Sequence, residues 1–430
     1  MLYSYFSQPF WDSAVYISNA KNLFSGGEIA YWESVRPIGW PIILGVFWKL
    51  GANLLVAGKI LELLFSLGII SFVYLISKQL FNKKIANIAT VIIAFNSLFI
   101  FWTFKLYTSI PATFFFILAL YLFINKKYSY SGICSIAAIL IRYPLLFLIF
   151  ALELSLIYTF VKAKKRSLKP FIYFNLPILI GAILFMAFNF YKYENFLSPI
   201  LEVINSTGWG SSPMIFANTP WLYLGSFAIF LHIMLPFLIY GIYLTFKQKK
   251  IKNKQELILY IILPMVILYA FFQTVSMKDE RYILPLLPLI AIIAAFGLSK
   301  IRFSVREVLL VLYVATSIII LLMLPAGHHI FFPEASQNPA ILERCPLDAK
   351  IASTTPIAAV YWNDYFPYFF NTPEATARFT EALPNIQCIF HTGCDFTGEF
   401  PEQMILEDYE LIFSDESYCK NKIYARFTSS

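Results

Sequence analysis

The chain has 430 residues, of which 59% are hydrophobic and only 13% are charged. Soluble globular proteins are roughly 45–50% apolar and about 25% charged, so this composition excludes an ordinary water-soluble fold and requires lipid as a solvent. The net charge of +8 does not indicate nucleic-acid binding, because the lysines lie in short loops between apolar runs.

The first segment, residues 1–53, is predicted to be an extracytoplasmic loop with juxtamembrane helices. Asp12 and Tyr16 are four residues apart and lie on one face of a predicted helix, which Gly26-Gly27 ends. The apolar stretch 38–50 is too short to cross a bilayer, which is typical of a juxtamembrane or re-entrant helix. Because no apolar span precedes this loop, we expect a first helix upstream of the given start.

Residues 54–325 are predicted to form a transmembrane helical bundle. Apolar runs alternate with short basic loops, and every basic loop falls on the same side when the spans are counted. The positive-inside rule makes that side cytoplasmic, so the other loops and the C-terminal tail are expected to be extracytoplasmic. The predicted spans are 54–80, 86–104, 109–125, 130–143, 144–162, 171–191, 220–246, 256–275, 283–299 and 307–325.

Residues 326–430 are expected to form a small soluble α/β domain. Residues 330–430 carry six Lys and Arg against fourteen Asp and Glu, unlike the basic remainder of the chain. The stretches Lys350 to Ser353 and Tyr409 to Ser414 are typical of strands, and Pro356 to Trp362 is typical of a helix start. The predicted fold class is therefore an all-α polytopic membrane protein with a small C-terminal α/β extracytoplasmic domain.

The tail also contains four cysteines. In an exported segment an even number permits two disulfides, with three possible connectivities, while free thiols in a small core are the alternative. The four residues are Cys345, Cys388, Cys394 and Cys419.

Ionisable residues within the spans are few, and each one needs a partner. Lys59 and Glu62 are three residues apart in one span and are predicted to neutralise each other. Glu153 is expected to form a hydrogen bond between helices. The sequence contains no glycine-rich phosphate loop, paired CxxC or HExxH motif.

Three motifs in this chain resemble those of GT-C glycosyltransferases. The first is D-x3-Y-x3-A-x2-L-x-x-G-G, starting at Asp12, followed by R-P-x-G-x-P from Arg36. The second is R-Y-x-L-P-x-x-P from Arg281, and the third is the Arg142-Tyr143-Pro144 turn after a short span. Together they are similar to the glycosyltransferase family 39-like branch, which contains the dolichyl-phosphate-mannose protein mannosyltransferases and the bacterial aminoarabinose lipid A transferases.

The resemblance implies a GT-C-like helical bundle and a polyprenyl-phosphate monosaccharide as the donor. The sugar would pass to a protein, lipid or glycan acceptor on the extracytoplasmic face, with no nucleic acid as partner. By analogy Asp12 is the catalytic carboxylate, because a carboxylate can take a proton from an attacking hydroxyl. The expected ligands of the donor phosphate are Arg36, Arg142 and Arg281, with Lys105 and Lys278 as weaker candidates.

Substrate contacts are expected from Tyr16, Glu33, Tyr143 and Tyr282. Many relatives place a second acid in the next outer loop, where this chain has Lys105 to Ser109. This departure leaves open the acceptor type and whether a divalent metal is needed, and no metal ligand is assigned.

Each of these residues also has a structural interpretation. Asp12 could cap a helix, and Arg36 could anchor the interface by extending its guanidinium to the headgroups. Arg281 could pair with Asp279 or Glu280, and Arg142 with Tyr143 could belong to an interfacial belt.

Two other functions compete with glycosyl transfer. A transporter or flippase of lipid-linked sugars would show paired broken helices in two repeated halves, and the sequence has no such repeat. The second alternative is a non-catalytic receptor or scaffold with an acidic ectodomain.

Overall fold

The structure is a computed structural model, and the residues that it describes are mostly helical. They are 10–162, 167–206, 219–247, 254–275, 278–324, 335–367, 373–392, 402–405, 407–414 and 420–427. Cys394 and Cys419 lie outside these ranges. By contacts the chain divides into two compact units. The first unit is Met1–Glu33, Pro41–Gly58 and Pro325–Ser430, and the second is Ser34–Trp40 and Lys59–Leu324.

In the described part of the chain, sixteen α-helices precede the C-terminal domain, which we define as residues 335–427. They are α1 Trp11–Phe24, α2 Gly39–Lys49, α3 Leu54–Leu80, α4 Lys83–Ala94, α5 Ser97–Trp102, α6 Ser109–Ile124, α7 Tyr128–Ile141, α8 Leu146–Lys162, α9 Lys169–Tyr193, α10 Ser198–Ser206, α11 Leu222–Leu231, α12 Leu235–Lys247, α13 Lys254–Leu257, α14 Leu263–Thr274, α15 Leu287–Leu298 and α16 Phe303–Met323. Short 3-10 turns, Tyr143–Leu145, His232–Met234 and Glu280–Leu286, and a π-helical turn, Ile258–Ile262, join some of them.

Seven helical stretches in the described part of the chain are long and apolar enough to cross a membrane. They are Leu54–Leu80, Tyr143–Lys162, Lys169–Tyr193, Leu222–Lys247, Lys254–Thr274, Glu280–Leu298 and Phe303–Met323. Two predicted spans correspond to shorter apolar helices, α6 and α7. The chain is thus an integral multi-pass membrane protein, which confirms the predicted fold class.

The predicted continuous span 86–104 is wrong, because the structure breaks it into α4 and α5. Asn96 causes the break: its side-chain oxygen accepts the Phe99 amide at 3.1 Å and so caps α5. Its side-chain nitrogen donates to the Phe230 carbonyl at 2.9 Å and to the Tyr313 hydroxyl at 3.3 Å. The amide therefore bonds to the backbone of one span and the side chain of another, at a buried position.

The innermost span of the second unit is Glu280–Leu298, of which 94% is buried. Glycines allow α12 and α15 to approach closely. A Cβ on Gly297 would lie 2.1 Å from the Phe237 carbonyl oxygen, and one on Gly241 would lie 2.2 Å from that of Ile293. Small residues at such contacts let two helix backbones pack directly, which lipid-exposed spans do not require.

The C-terminal domain is an α/β fold around a five-stranded mixed sheet. Its strands follow the order β2-β1-β3-β5-β4; β1 pairs in parallel with β2 and β3, and β5 is antiparallel to β3 and β4. The predicted strands 350–353 and 409–414 are confirmed. The elements are α17 Pro339–Arg344, β1 Lys350–Ser353, α18 Ala358–Tyr361, β2 Asp364–Pro367, α19 Pro373–Ala382, β3 Cys388–His391, β4 Tyr409–Ser414 and β5 Lys422–Arg426.

Alternate residues of each strand point to opposite faces of the sheet and build two separate cores. Ile351, Phe390 and Ile423 belong to one core, whereas their neighbours Ala352 and Tyr424 belong to the other. The first core also contains Ala14 of α1. The N-terminal helix is therefore part of the layer that covers this face of the sheet.

A disulfide crosses the first core. Cys345 and Cys388 are bonded, 43 residues apart in sequence, and both sulfurs are buried. Of the alternatives left open by the sequence, these two residues form a disulfide and are not free thiols. Because the bond ties the end of α17 to β3, it limits the freedom of the unfolded chain between them.

Replacing both bonded cysteines by alanine should lower the stability of the C-terminal domain by about 2–4 kcal/mol, since the unfolded loop gains entropy. The matched control is Cys134→Ala, which removes a free, half-buried thiol in α7. Limited proteolysis of the purified protein across a temperature series measures the effect. Equal resistance of the double variant and the control would contradict a stabilising role for the bond.

Candidate active site

The first arginine of the site ends α7. Arg142 has extended backbone angles, and the 3-10 turn that follows contains Pro144. Its side chain is only 7% exposed. One terminal nitrogen donates to Ser109 Oγ at 2.9 Å and to Thr108 Oγ1 at 3.3 Å. These hydroxyls hold the guanidinium without cancelling its charge.

The second arginine lies in the 3-10 turn before α15. Asp279 caps this turn: its side chain accepts the Arg281 amide at 2.9 Å and also forms an ion pair with Arg281 Nε at 3.0 Å. The Arg281 guanidinium carbon lies 4.7 Å from the centre of the Tyr107 ring. The pairing with Asp279 considered from the sequence is therefore present, and it fixes the direction of the guanidinium.

Tyr282 joins the two arginines. The guanidinium carbon of Arg142 lies 4.9 Å from the centre of its ring, and that of Arg281 lies 5.6 Å away. Cations are attracted to aromatic faces, and the attraction grows when water is excluded. We call Arg142, Arg281, Tyr282 and Tyr107 the arginine cluster. Its two positive groups share one ring, so a single anion could be bound by both.

A buried carboxyl group fixes the loop beneath this cluster. Glu62 of α3 accepts the backbone amides of Leu106 at 2.6 Å and Tyr107 at 2.8 Å. Leu106 has a φ of 58°, which an L-residue adopts only at a cost of roughly 1–2 kcal/mol. The predicted role of Glu62 was to neutralise Lys59. Its two hydrogen bonds show that it also holds the loop to which Tyr107 belongs.

Lys105 lies in the same loop and is almost completely buried, with its ammonium 4.6 Å from the centre of the Phe101 ring. Burial, and secondarily repulsion from Lys59, lowers the pKa of Lys105 to about 8. The group is therefore positively charged at neutral pH and loses its charge just above it. Lys278 is the other weaker candidate for a ligand of the donor phosphate. Its ammonium donates to the carbonyls of Gln273 and Val275 at 3.2 and 2.6 Å.

Arg36 lies in a segment that is anchored at both ends to the second unit. Ser34 donates to Glu202 at 2.6 Å, and Trp40 donates its ring N–H to the Leu106 carbonyl at 3.4 Å. A Cβ on Gly39 would lie 2.7 Å from the backbone of Leu140. The contacts of Trp40 with Leu106 and of Gly39 with Leu140 lie within two residues of Tyr107 and Arg142, so this end of the segment packs beside the arginine cluster.

Asp12 and Tyr16 belong to the first unit. Asp12 lies in the first turn of α1 and is 8% exposed, while Tyr16 is 4% exposed. A negative side chain is favoured at this end of a helix by the helix dipole. The backbone of Glu33 both donates to and accepts from the Asn19 side chain, at 2.8 and 3.0 Å. The loop after α1 is thereby folded back along that helix.

The structure thus brings together three of the predicted residues, Arg142, Arg281 and Tyr282. Tyr143, a predicted substrate contact, packs on α9, because its ring lies 6.0 Å from that of Phe185. The sequence did not predict that Ser109 contacts Arg142 or that Glu62 holds the loop of Leu106 and Tyr107, because these partners are distant in sequence. Among the described residues, no three His, Cys, Asp or Glu side chains form a metal-binding group. The possible metal stays a prediction.

Comparison with known proteins points to one class of enzyme. The model of the Alg9-like mannosyltransferase family matches residues 29–343, well over half of the chain. A comparison with curated protein sequences finds no match.

Several solved structures have a similar fold. ArnT from Cupriavidus metallidurans bound to undecaprenyl phosphate has a TM-score of 0.71 at 10% identity, over 100% of this chain and 97% of that chain. The apo oligosaccharyltransferase of Archaeoglobus fulgidus has a TM-score of 0.59 at 12% identity, over 89% and 66%. Arabinofuranosyltransferase AftD from Mycobacteria has a TM-score of 0.54 at 11% identity, over 97% and 39%. The resemblance to GT-C glycosyltransferases seen in the sequence is confirmed.

The Glu62 contact can be tested with Glu62→Gln. Glutamine keeps the shape but has one acceptor oxygen, so one loop amide would face an NH₂ group. A buried donor left without its acceptor costs about 1–3 kcal/mol, and we expect sugar transfer to fall by roughly 10- to 100-fold. Hydrogen exchange at Leu106 and Tyr107 should become faster. Glu153→Gln is the matched control, because Glu153 accepts from Asn175 at 2.6 Å within the bundle. Unchanged exchange at both amides would refute the loop-holding role.

Proposed function

This chain belongs to the Alg9-like mannosyltransferase family, and we propose that it transfers a mannose-type hexose from a polyprenyl-phosphate donor to an acceptor on the extracytoplasmic face. It is a membrane glycosyltransferase of the GT-C fold. The donor, the acceptor side and the residue roles below are our proposal.

In the proposed reaction an acceptor hydroxyl oxygen attacks the anomeric carbon of the donor sugar. The new glycosidic bond forms as the bond between that carbon and the phosphate oxygen breaks, and the electron pair of the broken bond remains on the phosphate. Asp12 accepts the hydroxyl proton, which later passes to water. General-base assistance of this kind typically contributes about 10²–10⁴-fold to the rate.

The arginine cluster is the observation that carries the donor assignment. The leaving polyprenyl phosphate gains negative charge as the bond breaks, and fixed cations in a water-poor site stabilise such charge most. Arg142 and Arg281 are both largely buried and share the Tyr282 ring. Guanidinium groups bind phosphate through paired N–H donors, which suits this role better than a point charge.

Lys105 and Arg36 are proposed as additional phosphate ligands. Lys105 lies two residues before Tyr107, in the loop that Glu62 holds, and Arg36 lies in the segment that packs on that loop through Trp40. Tyr16, Glu33 and Tyr143 stay predicted substrate contacts. Undecaprenyl phosphate bound to ArnT and dolichol-phosphate bound to the Archaeoglobus fulgidus protein AglB support a polyprenyl phosphate as the lipid.

The extracytoplasmic placement rests on charge. Every short basic loop falls on one side of the predicted spans, and the acidic tail falls on the other. A transporter would move a lipid-linked sugar without forming a new glycosidic bond, so product analysis separates the two functions. The acceptor is a protein, a lipid or a glycan.

Asp12→Asn should lower transfer by about 10²- to 10⁴-fold, because an amide cannot take the hydroxyl proton. The measurement uses membranes from cells producing each variant, with radiolabelled polyprenyl-phosphate mannose as donor and the native membrane components as acceptors. Asp348→Asn, at an exposed position, is the matched control. Transfer by Asp12→Asn at the level of this control would remove Asp12 from the mechanism.

Arg142→Lys and Arg281→Lys should each raise the donor KM by about 10- to 100-fold, since lysine keeps the charge but loses the paired N–H donors. Initial rates over a series of donor concentrations provide the measurement. The control is Arg306→Lys, because Arg306 is buried but pairs with Glu307 at 2.9 Å. A donor KM unchanged in both cluster variants would show that the phosphate binds elsewhere.

A further inference from the structure

Helix α1, which carries Asp12, is built into the C-terminal domain. Ala14 lies in the same hydrophobic core as Trp362 and the Cys345–Cys388 disulfide. Tyr31, in the loop after α1, packs edge-on against Tyr365 with ring centres 6.2 Å apart. These residues all belong to the first unit. The helix therefore has the sheet of this domain as its support.

Lys21 makes a three-fold polar contact between α1 and the domain. Its ammonium donates to the carbonyls of Ala359 at 3.0 Å and Val360 at 3.1 Å, and to the side-chain oxygen of Asn363 at 3.1 Å. An ammonium has three N–H donors, and three oxygens receive them here. The two carbonyls belong to α18, a single turn too short to satisfy its own last carbonyls.

The burial of Lys21 is costly and specific. The side chain is 6% exposed, and removal from water lowers its pKa to about 8. Lysine is almost never this buried unless it is paired, and an apolar residue would fill the position at a lower desolvation cost. Lys21 therefore contributes mainly through its three hydrogen bonds, and less through the volume that it fills.

Asn363 also fixes the segment that returns from α1. Its backbone carbonyl accepts the Ala30 amide at 2.7 Å, while its side chain receives Lys21. Ala30 has a φ of 63°, an unfavourable angle for a residue with a Cβ. Ser18 holds Tyr31 through two hydrogen bonds, at 2.6 and 2.8 Å. The end of α1 and its following loop are thus bound to one short stretch of the domain.

Packing around Lys21 is incomplete. A cavity of about 190 Å³ lies beside it, bordered by Ile17 of α1, by Trp48 and Asn53, and by Tyr361 and Asn363 of the domain. Space therefore remains on this side of the helix, and here the three hydrogen bonds of Lys21 add to the packing of Ala14.

We propose that Lys21 is a positioning residue, which locks α1 onto the C-terminal domain and so places the carboxylate of Asp12. The proposal rests on the proposed role of Asp12. The two residues are nine positions apart on one helix, about 13.5 Å along its axis. A rigid helix converts a small rotation at one end into a displacement at the other, and a misplacement of about 1 Å can cost roughly 10²-fold in rate.

The test compares Lys21→Met with Lys21→Arg. Methionine fills a similar volume without donors, whereas arginine can still donate to the carbonyls. We expect Lys21→Met to lower kcat by about 10- to 100-fold with the donor KM within about twofold of wild type. Its thermal stability should fall modestly, because three oxygens at this buried position lose their donor. Lys21→Arg should recover most of kcat. Lys49→Met, an exposed lysine stacked on Trp48, is the matched control.

Hydrogen exchange gives a readout that does not depend on catalysis. Amides of α1 should exchange faster in Lys21→Met than in the Lys49→Met control, with the strands of the sheet unchanged. Wild-type kcat and exchange in Lys21→Met would overturn the proposal. So would a joint loss of stability and activity that arginine fails to restore, since that pattern indicates a purely structural role. If Asp12→Asn kept full transfer while α1 still loosened in Lys21→Met, the role of Asp12 would fail and the anchoring of α1 would stand.

Discussion

A carboxyl group without access to water has to receive its hydrogen bonds from the protein, and this requirement organises the candidate active site. Glu62 receives them from the amides of Leu106 and Tyr107. The loop is thereby pulled into a conformation that Leu106 would otherwise avoid. Tyr107 then lies under Arg281, and the next residues, Thr108 and Ser109, receive Arg142. The Glu62 contact thus supports neighbours of both guanidinium groups.

The cost of placing a charge within a span explains why both arginines lie at helix breaks. A guanidinium within a continuous span would face lipid or a neighbouring helix, at a cost of about 2.5–3.5 kcal/mol or more. Arg142 follows α7, and Arg281 is in the 3-10 turn before α15. Proline contributes to both irregular turns, at Pro144 and Pro285. The breaks bring the cations to the ends of the spans.

Much of this fold could be predicted from local pattern. The strands 350–353 and 409–414, the end of α1 before Gly26-Gly27 and the hydrogen bond of Glu153 all follow from periodicity, turn chemistry and the need of a buried acid for a partner. What escaped prediction depends on residues distant in sequence. The break at Asn96 needs Phe230 and Tyr313, and Lys21 needs oxygens 338 to 342 residues away. A prediction from neighbouring residues cannot find contacts between residues so far apart in the chain.

The boundaries of the family match divide the molecule in a way that the contacts explain. Residues 29–343 contain the whole arginine cluster and Glu62, whereas α1 and all five strands lie outside them. Those two outer parts pack on each other through Ala14 and Lys21. A helix and a sheet that form one core must change together, since altering either face leaves a cavity or a clash in the other. The family match therefore covers the part of the chain that binds the donor in our proposal, and it leaves out the core that α1 and the sheet build together.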